Sequence, residues 1–238
     1  MPGLAIGSFL NVVAARVPLK RSIVRPSSAC MTCGHELAWY ENVPVLSYLA
    51  LRGRCRGCRA PIGLVYPAVE LLTALLIAAS FLAFGWSGES FVAAFFCATL
   101  VTVSATDLSH RIVPNVVVLP AALVVLLAMT ALDPSAEWAL GAFGAALFLF
   151  LAALAYPKGM GMGDVKLALL LGAMLGRTVP VALMLGMLAA LVPAVVLLVR
   201  HGSAARKMGI PFAPFLSLGG IVGLFFGDEL LDVYLSLL

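Results

Sequence analysis

Two aspartates and two cysteine pairs are the residues of this chain whose type and spacing could do chemistry. Asp107 follows the apolar run SFVAAFFCATLVTVSAT, and Asp164 ends the alternating stretch Gly159-Met160-Gly161-Met162-Gly163. Ionisable groups within or at the ends of membrane-length apolar segments are costly, and their default reading is functional. The competing reading for either one alone is a charge that sets topology or snorkels to the interface. Two carboxylates held close cannot both ionise comfortably. They share a proton, so one can act as base toward water while the other protonates a carbonyl or a leaving amine. Such a pair titrates as a unit. The glycines before Asp164 leave the backbone free to take unusual dihedrals and to approach a ligand or helix closely.

The cysteines form CMTC (Cys30, Cys33) and CRGC (Cys55, Cys58), two C-x2-C knuckles separated by 21 residues. That is close to zinc-ribbon spacing, and four thiolates around one Zn²⁺ make a closed structural site. Disulfides or unrelated buried thiols are the alternatives; a reducing cytoplasm disfavours the first. A loop of about 48 residues rich in Arg and Gly is too small to fold on its own core, so a metal staple is expected. His35 reads as a surface residue beside a shell already complete. Cys97, inside an apolar run, reads as a small hydrophobe packed between helices.

The elements that must position these groups follow from composition. Of 238 residues, 63% are hydrophobic and 11% charged, with a mean hydropathy of +1.09. A soluble domain carries about 25% charged residues, so lipid is the natural solvent here. Apolar runs stand at about 3–18, 67–86, 90–106, 113–132, 137–156, 165–177, 178–199 and 211–237. They predict an all-α polytopic membrane protein of about eight transmembrane helices, with Arg177-Thr178-Val179-Pro180 as a tight turn between the sixth and seventh. The expected organisation is a first transmembrane helix over 1–18, a small zinc-binding cytoplasmic loop over 19–66 and a transmembrane bundle over 67–238. Nothing at the start reads as a cleaved signal peptide. With the loop in the cytoplasm, 14 of the 15 Lys and Arg residues fall on the inner side, Arg177 alone outside, as the positive-inside rule requires. Glu89, Asp133, Glu137, Asp228, Glu229 and Asp232 then lie outside. The net charge of +4 records this loop bias; no nucleic acid is expected as partner. Asp107 and Asp164, separated by an outward and a returning span, come back to the same inner face.

With these residues in view, the chain resembles the type IV prepilin peptidases, members of the GxGD class of intramembrane aspartyl proteases. GSFLNVVAARVP (7–18) is similar to the family's first-span signature. The cysteine loop through YPAVELLT (66–73) is similar to its cytoplasmic zinc segment, and ATDLSHRIVPN (105–115) to its first catalytic motif. GMGMGDVKLALLLGAMLG (159–176) resembles the GxGD motif, and IPFAPFLSLGG (210–220) the Pro-rich start of the last span. The resemblance implies a bifunctional enzyme of the inner membrane. Its catalytic residues would be Asp107 and Asp164. It would remove the basic leader of type IV prepilins or pseudopilins on the cytoplasmic side, then N-methylate the new amino terminus with S-adenosyl-L-methionine. The cofactor site is sought in the loop, around Glu41, Asn42 and Arg52 and at Glu70. One departure is that Met1-Pro2-Gly3 begins almost inside the first span, so that this span is unusually short or the start lies upstream.

Two other classes compete. A proton-coupled transporter would also use intramembrane aspartates, but it calls for inverted repeats or broken helices in matching halves. A non-catalytic scaffold docking through the zinc loop leaves the glycine-flanked Asp164 without a role. For substrate, the basic inner face cannot attract a basic leader. Recognition is expected from short-range contacts: Glu36, Glu41 or Glu70, and backbone around Gly159–Gly163 pairing with an extended scissile segment.

Overall fold

The structure, a computed structural model, describes residues 2–156, 160–202 and 209–236. Lys158, Gly159, Arg206 and Lys207, which enter the charge count and the glycine motif above, lie outside the described residues.

Segments that are apolar on all sides form helices that either cross lipid or fill a core. Among the described residues eight such helices follow one another: α1 (Pro2–Arg16), α3 (Val65–Phe84), α4 (Gly88–His110), α5 (Asn115–Leu132), α6 (Glu137–Ala155), α7 (Met162–Leu175), α8 (Val179–His201) and α9 (Ala213–Ser236). A short helix α2 (Leu46–Ala50) lies in the loop between α1 and α3. Among the described residues the only β pairing is two isolated bridges in that loop, Ala29 with Glu36 and Arg54 with Pro61.

Among the described residues six helical stretches are long and apolar enough to cross a membrane; one of them, Met162–His201, comprises α7 and α8. The break between those two falls at a 3-10 turn, Gly176–Thr178, with Gly176 at φ +50° and Pro180 in the first turn of α8. This is the turn the Arg-Thr-Val-Pro stretch predicts. At about 1.5 Å per residue, the 15-residue α1 and the 14-residue α7 are shorter than a hydrocarbon core of about 30 Å. For α7 this carries little penalty, because protein surrounds it.

The chain ends its helices by recognisable means. Ser87 caps α4, its hydroxyl accepting the Ser90 N–H at 3.2 Å. Arg111 closes α4 in the left-handed region (φ +55°), its N–H donating to the Asp107 carbonyl, and Pro114 then starts α5. At the end remote from the loop, Arg177 pairs with Asp228 at 2.8 Å, and its N–H donates to Glu137 at 2.9 Å. The basic residue that the charge pattern sets apart is therefore held among acids.

Two helices form the centre. Of the α4 span, 72% is buried, against at most 33% for any other candidate span. It packs against α1, α3, α5 and α9. Ten of the 14 residues of α7 are buried, and α5, α6 and α9 surround it. Helices α5 and α9 touch both, so they set the relation of α4 to α7. The seams are close: a Cβ on Gly172 would lie 2.1 Å from the Gly141 carbonyl oxygen of α6. In lipid, where apolar surface gains nothing by leaving water, such backbone approach at small residues is what holds helices together.

Candidate active site

Asp107 lies in the last turn of α4 and Asp164 in the first turn of α7, and both are buried, 7% and 9% exposed. A helix N-terminus has N–H groups with no intrahelical acceptor and carries a partial positive charge. Each aspartate sits on one. Asp164 accepts the N–H of Gly161, the residue capping its own helix, at 3.3 Å. Asp107 accepts at 3.1 Å the N–H of Ala213, the first residue of α9, 106 positions away. Arg111, one turn beyond Asp107, adds a positive charge that acts on it, and the charge of Asp107 in turn acts on Asp164. Both acids thus lie at the loop end of the bundle, each buried in the terminal turn of a central helix. Among the described residues no hydrogen bond joins them directly.

The lead-in to Asp164 differs from expectation in one respect. Gly161 is in ordinary extended conformation (φ −83°, ψ 147°) and Gly163 is already helical; neither has a positive φ. What Gly163 supplies is closeness: a Cβ there would lie 2.8 Å from the Cβ of Val113, in the link between α4 and α5. Val113 therefore covers Gly163. Lys166 fastens the same region, donating to Asn115 at the start of α5 at 2.7 Å.

The four loop cysteines converge. Their sulfurs all lie within 4.8 Å of one another, with Cys30–Cys58 at 3.8 Å and Cys33–Cys55 at 3.9 Å. A disulfide needs about 2.05 Å. A tetrahedron with metal–sulfur bonds of about 2.3 Å has edges of about 3.8 Å, so the cage fits a structural metal and suits zinc. The two knuckles repeat one backbone pattern. Cys30 N–H donates to His35 and Gly34 N–H to Cys30; Cys55 N–H donates to Ala60 and Arg59 N–H to Cys55, all at 2.9 Å. Gly34 (φ +72°) and Arg59 (φ +58°) occupy equivalent left-handed positions. The backbone N–H groups of Cys33 and Thr32 pull the Cys30 thiol down to about 6, while Cys58, lowered by the Ala60 N–H but raised more by Cys33 and the other crowded sulfurs, is pushed up to about 11. Cys97 is fully buried in α4, away from the cluster, as a packing residue.

Glu41, expected to be free for a ligand, is committed to the loop. Its Oε2 accepts the Ala38 N–H at 3.0 Å and meets His35 Nε2 at 3.2 Å, and Arg56 stands 3.9 Å from its Oε1. The Ala38 N–H holds its carboxyl below the usual range, with His35 assisting. Glu41 therefore ties the first knuckle to the second. Beneath them is a cavity of about 440 Å³ between α1, the loop and the start of α3, lined by Glu41, Asn42 and Glu70 among others. Arg52 is exposed and does not line it.

Residues 94–198 match the Type IV leader peptidase family, and residues 1–84 match the Bacterial Peptidase A24 N-terminal domain. A prepilin leader peptidase/N-methyltransferase of Bacillus subtilis is 37% identical over 99% of this chain and 96% of its own length. The chain belongs to the type IV leader peptidase family. A similarly named protein of Pseudomonas aeruginosa is 34% identical over 98% of this chain and 91% of its own. Another, from Myxococcus xanthus, is 46% identical over 73% of this chain; the match spans 54% of that relative. No solved structure matches the chain. A proton-coupled transporter finds no support among these relatives.

Sequence reasoning missed Ala213. Its backbone N–H has no side-chain signature, and the available signal was indirect: Pro211 and Pro214 flanking the start of an apolar run mark a helix N-terminus. The contact between Gly163 and Val113 gives a direct test. Gly163→Leu should lower the thermal midpoint of the detergent-solubilised protein, at an overpacking cost of about 1–3 kcal/mol. Val113→Gly in the same chain should recover most of that loss. If Gly163→Leu leaves the midpoint unchanged, Val113 does not pack over this glycine as described.

Proposed function

We propose that this protein is a membrane aspartic endopeptidase of the inner membrane, acting through Asp107 and Asp164 on type IV prepilins or pseudopilins, and that it also N-methylates the new amino terminus. The observation that carries the reading is the pair of buried acids, each seated on a helix N-terminus at one face of the bundle. The family and the printed names of its relatives support both activities. The expected sidedness agrees with this reading: the loop end, with Arg16, Arg54, Arg56 and Arg59, faces the cytoplasm, where a leader would be presented. In this organisation residues 1–18 are the first span, 19–66 the zinc-binding loop and 67–238 the peptidase bundle.

In the proposed reaction the pair holds one proton. The ionised member takes a proton from water, the oxygen attacks the scissile carbonyl, and the protonated member donates to the carbonyl oxygen. The tetrahedral adduct then collapses as the amine leaves with a proton returned from the pair. Helix N-termini that do not reorganise during the step keep the pair fixed in an environment without bulk water. Asp107→Asn and Asp164→Asn should each reduce leader removal by at least about 10³-fold while leaving membrane insertion intact, because neither half of a shared-proton pair can act alone. Gel analysis of a prepilin in detergent reads this out; robust cleavage by either variant contradicts it.

Cys30, Cys33, Cys55 and Cys58 are proposed to hold one structural Zn²⁺, joining the two knuckles. The dyad belongs to the bundle and needs no metal. The purified protein should contain about one zinc per chain, and Cys55→Ser should lose it together with protection of the remaining thiols from alkylation. Native protein free of zinc with all four thiols reactive would refute the site. S-adenosyl-L-methionine is the proposed methyl donor, and the fit of this chain to it is a matter for the cavity under the knuckles.

A further inference from the structure

The cavity beneath the cysteine knuckles has the size of a small-ligand site, its 440 Å³ within the usual range of about 300–1,000 Å³. It is bounded by Ser8 and Asn11 of α1, Asn42 and Tyr48 of the loop, and Glu70 of α3. Glu70 is the sixth residue of α3, so it lies about 7.5 Å along the helix from its start. A buried carboxylate at that level needs a reason. One of its oxygens has one: Oε2 accepts the N–H of Val45 at 2.8 Å and fixes α2 beside α3. The other oxygen receives no hydrogen bond from any described residue and is not among the sealed polar atoms, and Glu70 lines the cavity. Glu41 differs, since its Oε1 is sealed and its Oε2 is held by Ala38 and His35. Asn11 donates to the Tyr66 carbonyl at 3.0 Å, which leaves its own carbonyl oxygen as a further acceptor on the same wall. An apolar chamber at the level of a span's first turns, with a carboxylate oxygen and an amide oxygen free in it, suits a cationic amine.

We infer that this cavity is the methyl-transfer chamber, and that Glu70 binds the new α-amine of the cleaved substrate and accepts its proton. The inference rests on the bifunctional reading above. A fresh amino terminus is an ammonium at neutral pH and has no lone pair to react. Transfer of one N–H proton to Glu70 Oε1 leaves a neutral amine beside a neutral acid, held by Asn11. S-adenosyl-L-methionine, when bound, supplies a methyl on a cationic sulfur: the nitrogen lone pair forms the new N–C bond, and the C–S electron pair stays on sulfur, which becomes a neutral thioether. The proton on Glu70 returns to solvent. Helices α1 and α3, which wall the chamber, both pack on α4, the helix that carries Asp107. The chamber and the dyad therefore belong to one packed bundle.

Glu70→Gln tests this, because the glutamine oxygen can still accept the Val45 N–H while the charge and the proton acceptor are gone. With both activities read by mass on the same pilin, methylation of the mature form should fall by about 10²–10⁴-fold, far more than leader removal does. Binding supplies the second readout. In the presence of S-adenosylhomocysteine the full chain should bind a mature-pilin N-terminal peptide at least tenfold more tightly than the same peptide acetylated at its α-amine. Glu70→Gln should lose that discrimination. Ser8→Phe, which fills the chamber from α1, should abolish S-adenosylhomocysteine binding. Methylation by Glu70→Gln at the normal rate, or simultaneous loss of cleavage and methylation, overturns the inference. If the unaltered protein cleaves but never methylates, the bifunctional reading fails by itself; equal binding of free and acetylated peptide then overturns the role of Glu70 independently.

Discussion

A carboxylate inside an apolar bundle needs donors that stay in place, and the arrangement of α4, α7 and α9 follows from that need. Water can solvate an exposed aspartate from any direction, but a buried one left without donors costs several kcal/mol. The backbone at a helix N-terminus offers N–H groups already aligned and already without partners. Asp164 obtains one from its own helix through Gly161, and Asp107 obtains one from α9 through Ala213. The second contact is the more demanding. It requires the start of the last helix to be delivered to the end of the fourth, and it makes the site depend on how α9 is seated.

That seating depends on small residues. Helices α5 and α9 both touch α4 and α7, so any change in their spacing changes the separation of the two acids. A Cβ on Gly219 of α9 would lie 2.1 Å from the Ala182 carbonyl oxygen of α8, and one on Gly220 would lie 2.3 Å from Leu171 of α7. At the other end of α7, Glu137 of α6 accepts the Arg177 N–H, and Arg177 reaches Asp228 of α9. Helix α7 is thus fixed at its far end by charge and along its length by backbone approach, so its first turn, with Asp164, has little freedom. The cysteine loop is built on a different economy. It buries few of its apolar residues, leaving Val24, Met31, Trp39 and Leu49 exposed, and its order comes from two repeated knuckles and the Glu41 contacts that bind one to the other.

The parts of this arrangement that were legible in the sequence are those whose signal is local. Two C-x2-C knuckles announce a four-sulfur cage because the ligand spacing and the turn that makes it are the same few residues. Asp107 and Asp164 could be placed at one face by counting spans, since a helical hairpin of two crossings returns the chain to its starting side. Non-local features were not legible. Nothing in the residues around Asp107 names Ala213 as its donor. The glycines before Asp164 are compatible with unusual dihedrals and with close packing alike, and only the position of Val113 decides for packing at Gly163. Glu41 reads as a free acid in a basic loop; its burial against Ala38 and His35 emerges only when the loop closes. For Glu70, sequence reasoning named the residue, but the split between one oxygen tied to Val45 and one without a partner among the described residues is a property of the fold.

The central claim is that the two aspartates act as one titrating unit, and the pH dependence of cleavage tests it most directly. Measured on a prepilin-derived peptide with the full-length protein in detergent, kcat/KM should trace a bell. Activity should fall on the acid side, where both members of the pair are protonated, and on the alkaline side, where both are ionised. A rate that climbs and then stays on a plateau with rising pH, as a single deprotonated nucleophile or base would give, would contradict the account.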